Sequence, residues 1–163
     1  MRNIIVAGLL LLLGACASNS NPRFVMQEKT AVDQKSGLVW MKNANLPEKP
    51  LLWKADDNVY AFIQGLNREL YAGYADWRVP SKAEMASLIA YAKSFGHDPS
   101  KMDTWPFQNL RQAGFQDVRD YGYWTITRHS QHELWIADLA SGRIVPKPDD
   151  KPYYLWPVRG GRD

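Results

Sequence analysis

Residues 76–84 constrain the fold of this chain more than any other segment. Pro80 disfavours the α region at the residue before it, so Val79 is expected to be extended. Ser81 has the type and position of a helix N-cap, and Glu84, three residues later, completes the pattern of a capping box. The sequence therefore predicts that one helix ends before this segment, that a short extended piece follows, and that a second helix begins at Ser81.

One helix is predicted before this segment and a second one after it. Residues 56–70 carry apolar side chains at helical spacing, and Asp56 and Asp57 suit the positive N-terminal end of that helix. Residues 81–94 have similar spacing and form the second helix. Residues 97–120 have no clean period, which indicates a long, packed, irregular segment with one helical turn, and such long loops are often functional.

The remaining patterns are typical of strands. An early hairpin is predicted from residues 24–26 and 38–41, with a turn across residues 32–37. Later strands are predicted at residues 121–127, 133–139, 143–145 and 153–159, the last at an edge because it contains Pro157. Helices that come early and antiparallel strands that come late indicate an α+β domain.

The N-terminus has the features of an export signal. A short positive start precedes the apolar residues 4–13, which make up about half of the ~20 residues needed to cross a bilayer. Small residues and Cys16 follow, as in a bacterial lipobox in which the thiol receives a diacylglycerol. The alternative is an ordinary signal peptide in which Cys16 is incidental. Ala17, in place of an aspartate, favours the outer membrane over retention at the inner membrane.

These features divide the chain into three parts. Residues 1–15 are predicted to be a lipoprotein signal peptide, residues 16–23 a flexible tether, and residues 24–163 one globular domain. Cys16 is the only cysteine, so the domain has no intrachain disulfide, thiol nucleophile or cysteine-bound zinc. The formal net charge of +3 is mild, and together with export it argues against a nucleic-acid partner.

Several short blocks resemble one family in the same order. They are Val32-Asp33 with residues 36–40, the run Asp76-Trp77-Arg78-Val79-Pro80 with Glu84, residues 121–125, Trp135 with Gly142, and residues 157–161. The chain thereby resembles the domain of unknown function 1566, also called the Lcl C-terminal domain, over about residues 30–161.

The resemblance implies a C-type-lectin-like fold of the kind found in sulfatase-modifying factors, with two helices, a twisted antiparallel sheet and long irregular loops. In this family the domain is often a secreted or surface module, and a member binds sulfated glycosaminoglycans through it. A cysteine common in the family is replaced here by Ile63. The calcium-ligand motifs of sugar-binding lectins and the cysteine pair of formylglycine-generating enzymes are absent, which argues against both of those chemistries.

Most candidate site residues have a simpler structural interpretation. His129 and His132 lie between two strand patterns and are expected in a polar hairpin turn, so no metal site or cofactor is predicted. His97 is expected to interact with the end of a helix. Structural roles are also expected for the residues in the family blocks: Trp40, Asp76, Trp77, Arg78, Pro80, Glu84, Trp124, Trp135 and Arg159. No catalytic residue is predicted.

The residues most compatible with a ligand lie near the C-terminus. Guanidinium groups pair with sulfate or carboxylate, and aromatic faces stack on sugar rings. The alternative is a solvated basic face, moderated by nearby acidic residues. The candidates are Arg128, Arg143, Lys147, Lys151, Tyr153 and Tyr154.

The sequence thus predicts a non-enzymatic lipoprotein of the bacterial envelope, anchored in the membrane through the lipid on Cys16. Its ligand is expected to be an anionic glycan or an envelope protein. The alternatives are a structural or assembly partner in an envelope complex and an enzyme built on the same fold. The sequence does not choose among these ligands.

Overall fold

The computed structural model describes residues 22–54, 58–96 and 106–161. These residues form a mixed fold with three α-helices and two antiparallel sheets. The α+β class is therefore confirmed, whereas the prediction of two helices and a single sheet is wrong. Cys16, Asp56, Asp57 and His97 lie outside the described residues, and so do the signal peptide and most of the predicted tether.

The first sheet has the strand order β1-β2-β3-β7. Its strands are β1 (Phe24–Met26), β2 (Thr30–Asp33), β3 (Val39–Met41) and β7 (Val158–Arg159). The predicted early hairpin lacked β2, because the turn was expected to begin at residue 32. Asp33 instead ends strand β2 and is buried. Its buried carboxylate is satisfied by Arg23, which donates two hydrogen bonds to it, of 3.0 and 2.6 Å.

Arg23 also binds helix α2 (Lys82–Ser94) through hydrogen bonds to the carbonyl and hydroxyl of Ser87. Burial by itself raises the pKa of Asp33, but the hydrogen bonds from Arg23, Ser36 and the Lys35 amide bring it below its ordinary value. Arg23 was predicted to lie in the flexible tether, and these contacts make it part of the folded domain.

The second sheet consists of β4 (Gly122–Ser130), β5 (Glu133–Asp138) and β6 (Arg143–Pro148), in that order. β4 is longer than predicted and includes His129, so the turn holds His132 but not His129. β6 continues through Pro146 and Pro148, which is tolerated because an edge strand has one side free of ladder hydrogen bonds. Residues 153–157 are not a strand; Tyr153 and Tyr154 make only isolated bridges.

The helices are α1 (Val59–Arg68), α2 (Lys82–Ser94) and α3 (Pro106–Gln112), with a short 3-10 helix at Tyr71–Gly73. The capping box predicted for α2 is confirmed, because Ser81 and Glu84 each accept a hydrogen bond from the other's backbone amide. The part of the chain described here has no helix that is long and apolar enough to cross a membrane.

Large aromatic side chains form the centre of the core between the two sheets. Trp40, Trp77, Trp124 and Trp156 are all buried. Trp135 was expected to be a core residue as well, but it is only half-buried, with the Lys82 ammonium 3.2 Å from the centre of one face and the His129 ring at its edge. The difference arises because Trp135 points to the opposite face of β5 from its buried neighbours Leu134 and Ile136.

Candidate functional site

Two concave regions contain residues that the sequence singled out. The first, which we call the joint cavity, has a volume of about 290 Å³ and is lined by Asp76, Trp77, Arg78, Gly160 and Gly161. It forms where the extended segment before α2 pairs with β7. The Arg78 amide donates to the Val158 carbonyl at 2.9 Å, and the Val158 amide donates back at 3.0 Å.

The charged groups of the joint cavity all bind other groups of the protein. Arg78 donates two hydrogen bonds to Glu84, of 2.9 and 2.6 Å, and a third to the Gly160 carbonyl. Arg159 donates to Asp76 at 2.6 Å and lies over the Tyr74 ring. These contacts explain why the family blocks at residues 76–84 and 157–161, far apart in sequence, lie together.

These ion pairs also lower the pKa values of two carboxyl groups, those of Asp76 and Glu84. The hydrogen bond from Arg159 lowers the pKa of Asp76 below its ordinary value. Burial tends to raise the pKa of Glu84, but the hydrogen bonds from Arg78 and Ser81 outweigh it and lower the pKa overall. Both carboxylates are therefore ionised and engaged at neutral pH, which makes them poor general bases and poor ligands for an added cation.

The second region lies on one face of the second sheet, and we call it the sheet groove. It has a volume of about 300 Å³. Its charged lining residues are Asp120, Asp138 and Lys147, and its aromatic and branched apolar lining residues are Tyr121, Tyr153, Ile136 and Val145.

Strand register places these residues together. Val145 lies opposite Ile136, and Arg143 and Lys147 flank Val145 at alternate positions of β6. Because alternate residues of a strand point to the same side, all three β6 side chains share the face that forms the groove. One of the predicted basic residues therefore lines the groove, and a second, Arg143, lies at the end of the same strand.

The aromatic wall of the groove depends on a glycine. A Cβ on Gly122 would lie 2.7 Å from Ile136 Cγ2 and 2.8 Å from Tyr153 Cδ1. The absence of a side chain at Gly122 therefore lets the Tyr153 ring pack directly on the sheet. Tyr121 leans against Tyr153, with ring centres 6.2 Å apart and an angle of 31° between the ring planes, and half of Tyr121 is exposed (50%).

The Tyr153 hydroxyl stays protonated at neutral pH. Burial raises the pKa of Tyr153, and the nearby Tyr121 and Asp150 raise it further. The groove thus offers a neutral phenol as a hydrogen-bond donor beside an exposed ring, which is typical of sites that hold an amphipathic ligand.

The charged groups of the groove differ from those of the joint cavity. Within the described part of the chain, no acidic oxygen lies within 4 Å of the cationic nitrogens of Arg143 or Lys147, and Asp120 has no basic partner within that distance. Asp138, in contrast, accepts hydrogen bonds from the Ala140 amide and the Ser141 hydroxyl and so stabilises the turn after β5.

The other predicted ligand residues lie outside the groove. Arg128 is 3.6 Å from the Asp149 carboxylate and donates to the Gln131 carbonyl. Lys151 lies 4.0 Å from Asp150. Tyr154 is half-buried between the rings of Tyr121 and Tyr123. Of the six candidates, only Lys147 and Tyr153 line the groove.

Asp149, the partner of Arg128, is buried and also 2.6 Å from the Lys54 ammonium. The hydrogen bond from Lys54 lowers the pKa of Asp149. Arg128 is therefore drawn toward this carboxylate and is less available to a ligand than Lys147.

Sequence reasoning did not select Asp120, Ile136 or Val145 as site residues. Ile136 and Val145 look like ordinary strand residues, and only the register of β5 and β6 shows that they share a groove. A signal for Asp120 was present in the sequence, because this carboxylate stands next to the aromatic Tyr121 just before β4. In residues 22–54, 58–96 and 106–161 no three histidine, cysteine or acidic side chains are grouped so as to hold a metal ion.

Comparison with known proteins gives one positive finding. The family model described as the Lcl C-terminal domain matches residues 29–159, which include every lining residue of the sheet groove and Asp76, Trp77 and Arg78 of the joint cavity. A search of curated proteins found no match.

Proposed function

The chain belongs to the Lcl C-terminal domain family, and on that premise we propose that it is a non-enzymatic binding module whose sheet groove holds an anionic glycan. The observation that carries the proposal is the position of two cations, Arg143 and Lys147, on the same sheet face as the exposed Tyr121 ring, neither of them ion-paired with any described residue. Sulfate or carboxylate groups pair with such cations, and the apolar face of a sugar ring packs on tyrosine.

The shape of the sheet groove favours a glycan as the ligand, rather than a flat anionic surface. The cations lie beside a groove of about 300 Å³, which is close to the lower end of the volumes of small-molecule sites. Ile136 and Val145 give it an apolar floor, while Tyr121 and Tyr153 give it aromatic walls with polar hydroxyls. A sugar ring with charged substituents has this same alternation of apolar faces and polar edges.

We further propose that the domain has a C-type-lectin-like fold and that the family is the one called domain of unknown function 1566. Two small antiparallel sheets, with connections that are largely irregular, support that fold. We also propose that Cys16 carries the lipid of an outer-membrane lipoprotein. In that arrangement the described domain would begin a few residues after the anchor, because Arg23 is already held by Asp33.

The lipid anchor has a direct test. Cells that express the wild-type protein should incorporate labelled palmitate into it, and a Cys16→Ser variant should lose both the label and the membrane association. A wild-type protein without label, together with a Cys16→Ser variant that still fractionates with membranes, would contradict lipidation at this position.

The glycan proposal is tested by binding to heparin, a sulfated polymer, at several salt concentrations. The double variant Arg143→Gln/Lys147→Gln should weaken binding by about tenfold, and added salt should weaken the wild-type protein in the same direction. Arg128→Gln/Lys151→Gln is the matched control, because it also removes two positive charges and both residues lie outside the groove. Equal binding by the double variant and the wild-type protein would refute the proposal.

A second variant tests the contribution of ring stacking on Tyr121 separately from that of the positive charges. Tyr121→Ala keeps every charge of the groove and removes the exposed ring, so it should weaken heparin binding with an unchanged dependence on salt. If Tyr121→Ala binds like the wild-type protein while the double variant does not, the ligand is held by charge alone and the groove itself plays no part.

A further inference from the structure

Two carboxylates line the groove, Asp120 and Asp138, and a purely anionic ligand uses neither. Asp138 is bound to the turn after β5, whereas Asp120 is exposed just before β4 and lines the same groove as Lys147. Asp120 and Lys147 do not form an ion pair with each other, since no salt bridge within 4 Å joins them. The groove therefore has a negative and a positive group that are separated by aromatic and apolar side chains.

The neighbouring carboxylates show that Asp120 differs from an ordinary structural aspartate. Asp117 forms a 2.7 Å ion pair with Arg119. Asp138 uses both carboxylate oxygens to stabilise a turn, through the Ala140 amide and the Ser141 hydroxyl. Asp120 has no such hydrogen bond or ion pair to any of the described residues, although it lies close to Asp117 in sequence and lines the same groove as Asp138.

We infer that the ligand of the sheet groove bears a positive group as well as a negative one, and that it is an amino sugar with a free ammonium group in an acidic glycan. This inference rests on the proposed glycan-binding function. The ammonium would pair with Asp120, while a sulfate or carboxylate would pair with Lys147 and the ring would pack on Tyr121.

Electrostatic complementarity gives the reason. A ligand with only negative groups would be repelled by Asp120, and that repulsion would reduce the benefit of Lys147 and Arg143. A free ammonium group changes the repulsion into an attraction. The groove would therefore discriminate between two glycans of equal sulfation according to whether the nitrogen is charged, with Asp120 acting against the neutral form.

The test uses two derivatives of heparin from which the N-sulfates have been removed. One keeps the free amines and the other is N-acetylated, so they share O-sulfates and carboxylates and differ at the nitrogen. At pH 6 the wild-type protein should bind the free-amine polymer about three- to fivefold more tightly, which is the effect of one exposed ion pair. Asp120→Asn should remove that preference, and Lys147→Gln should weaken both polymers while the preference remains.

Glu69→Gln is the control, because Glu69 is an exposed carboxylate at the end of α1 and does not line the groove. Its preference for the free-amine polymer should equal that of the wild-type protein. A wild-type protein that binds both polymers equally, or an Asp120→Asn variant that keeps the preference, would overturn the inference. In that case weaker binding by Lys147→Gln would leave the proposed function standing, whereas no binding of either polymer by the wild-type protein would overturn both.

Discussion

The joint cavity and the sheet groove are similar in volume, about 290 and 300 Å³, but they differ in how their charges are used. In the joint cavity Arg78 binds Glu84 and Gly160, and Arg159 binds Asp76. In the groove Lys147 and Asp120 have no such partners among the described residues. Both regions contain aromatic rings, so composition alone does not distinguish them.

The difference supports a structural role for the joint cavity and the proposed binding role of the sheet groove. The charges at the joint hold distant parts of the chain together, and a ligand there would compete with existing ion pairs. Lys147 and Asp120 are ion-paired with none of the described residues, so a ligand can pair with them without first breaking such an ion pair. Substitutions at the two regions should therefore affect different properties: stability at the joint and binding at the groove.

The largest effect on stability is expected from Arg78→Ala. The side chains of Arg78 and Glu84 are only 13% and 16% exposed, and the substitution leaves Glu84 with an unpaired, largely buried charge. Loss of one partner of a buried pair costs about 3 to 5 kcal/mol, and the partial exposure of this pair favours the lower value. Urea denaturation measures the change, and a loss below about 0.5 kcal/mol would contradict a structural role for this pair.

The segment beside the joint cavity is also the part of the fold that can best be predicted from the sequence. Pro80, Ser81 and Glu84 act over a few residues, so the extended segment and the capping box were predictable from local geometry. The pairing of Arg78 with Gly160 was not, because it joins residues 82 positions apart. The groove was not predictable from local patterns either, because it requires the register of β5 and β6 and the packing of Tyr153 on Gly122.

The next largest effect is expected from Gly122→Ala. The new methyl group would overlap Ile136 and Tyr153, and overpacking of this kind costs about 1 to 3 kcal/mol. Displacement of Tyr153 should also weaken heparin binding, which separates this variant from those at the joint. Gly65→Ala in α1 is the control, because its nearest contact is 4.0 Å away and alanine should stabilise the helix by up to ~1 kcal/mol. Equal stability of the two variants would show that the groove tolerates a larger residue at position 122.

A smaller, pH-dependent effect is expected at the surface of the joint cavity. The pair formed by Asp76 and Arg159 is partly exposed, so Asp76→Asn should cost roughly 0.5 kcal/mol at pH 7. Because the pKa of Asp76 is lowered in the folded protein, this stabilisation is complete above the unfolded-state pKa of about 3.9 and is lost as the pH falls through the folded-state pKa.

Urea denaturation of Asp76→Asn and the wild-type protein from pH 7 to pH 2 measures this change. The difference in free energy of unfolding should be constant at neutral pH and should approach zero at the acid end. A difference that grows as the pH falls would mean that Asp76 is stabilised in its protonated form.

The smallest effect on stability is expected from Lys147→Gln. Lys147 is exposed and has no ion-pair partner in the described part of the protein, so the free energy of unfolding should change by less than about 0.5 kcal/mol. A thermal unfolding scan of this variant is sufficient to detect a larger change. A loss comparable to that of Arg78→Ala would place Lys147 among the structural charges and remove the contrast between the two regions.

The most direct test of this contrast compares the heparin affinity of Lys147→Gln with that of Arg159→Gln. Each variant loses one positive charge, the first in the sheet groove and the second at the joint cavity. The Lys147→Gln variant should bind about fivefold more weakly than the wild-type protein, as expected for the loss of one exposed ion pair, while Arg159→Gln should bind normally. Normal binding by Lys147→Gln together with weak binding by Arg159→Gln would contradict the assignment of the groove as the binding site.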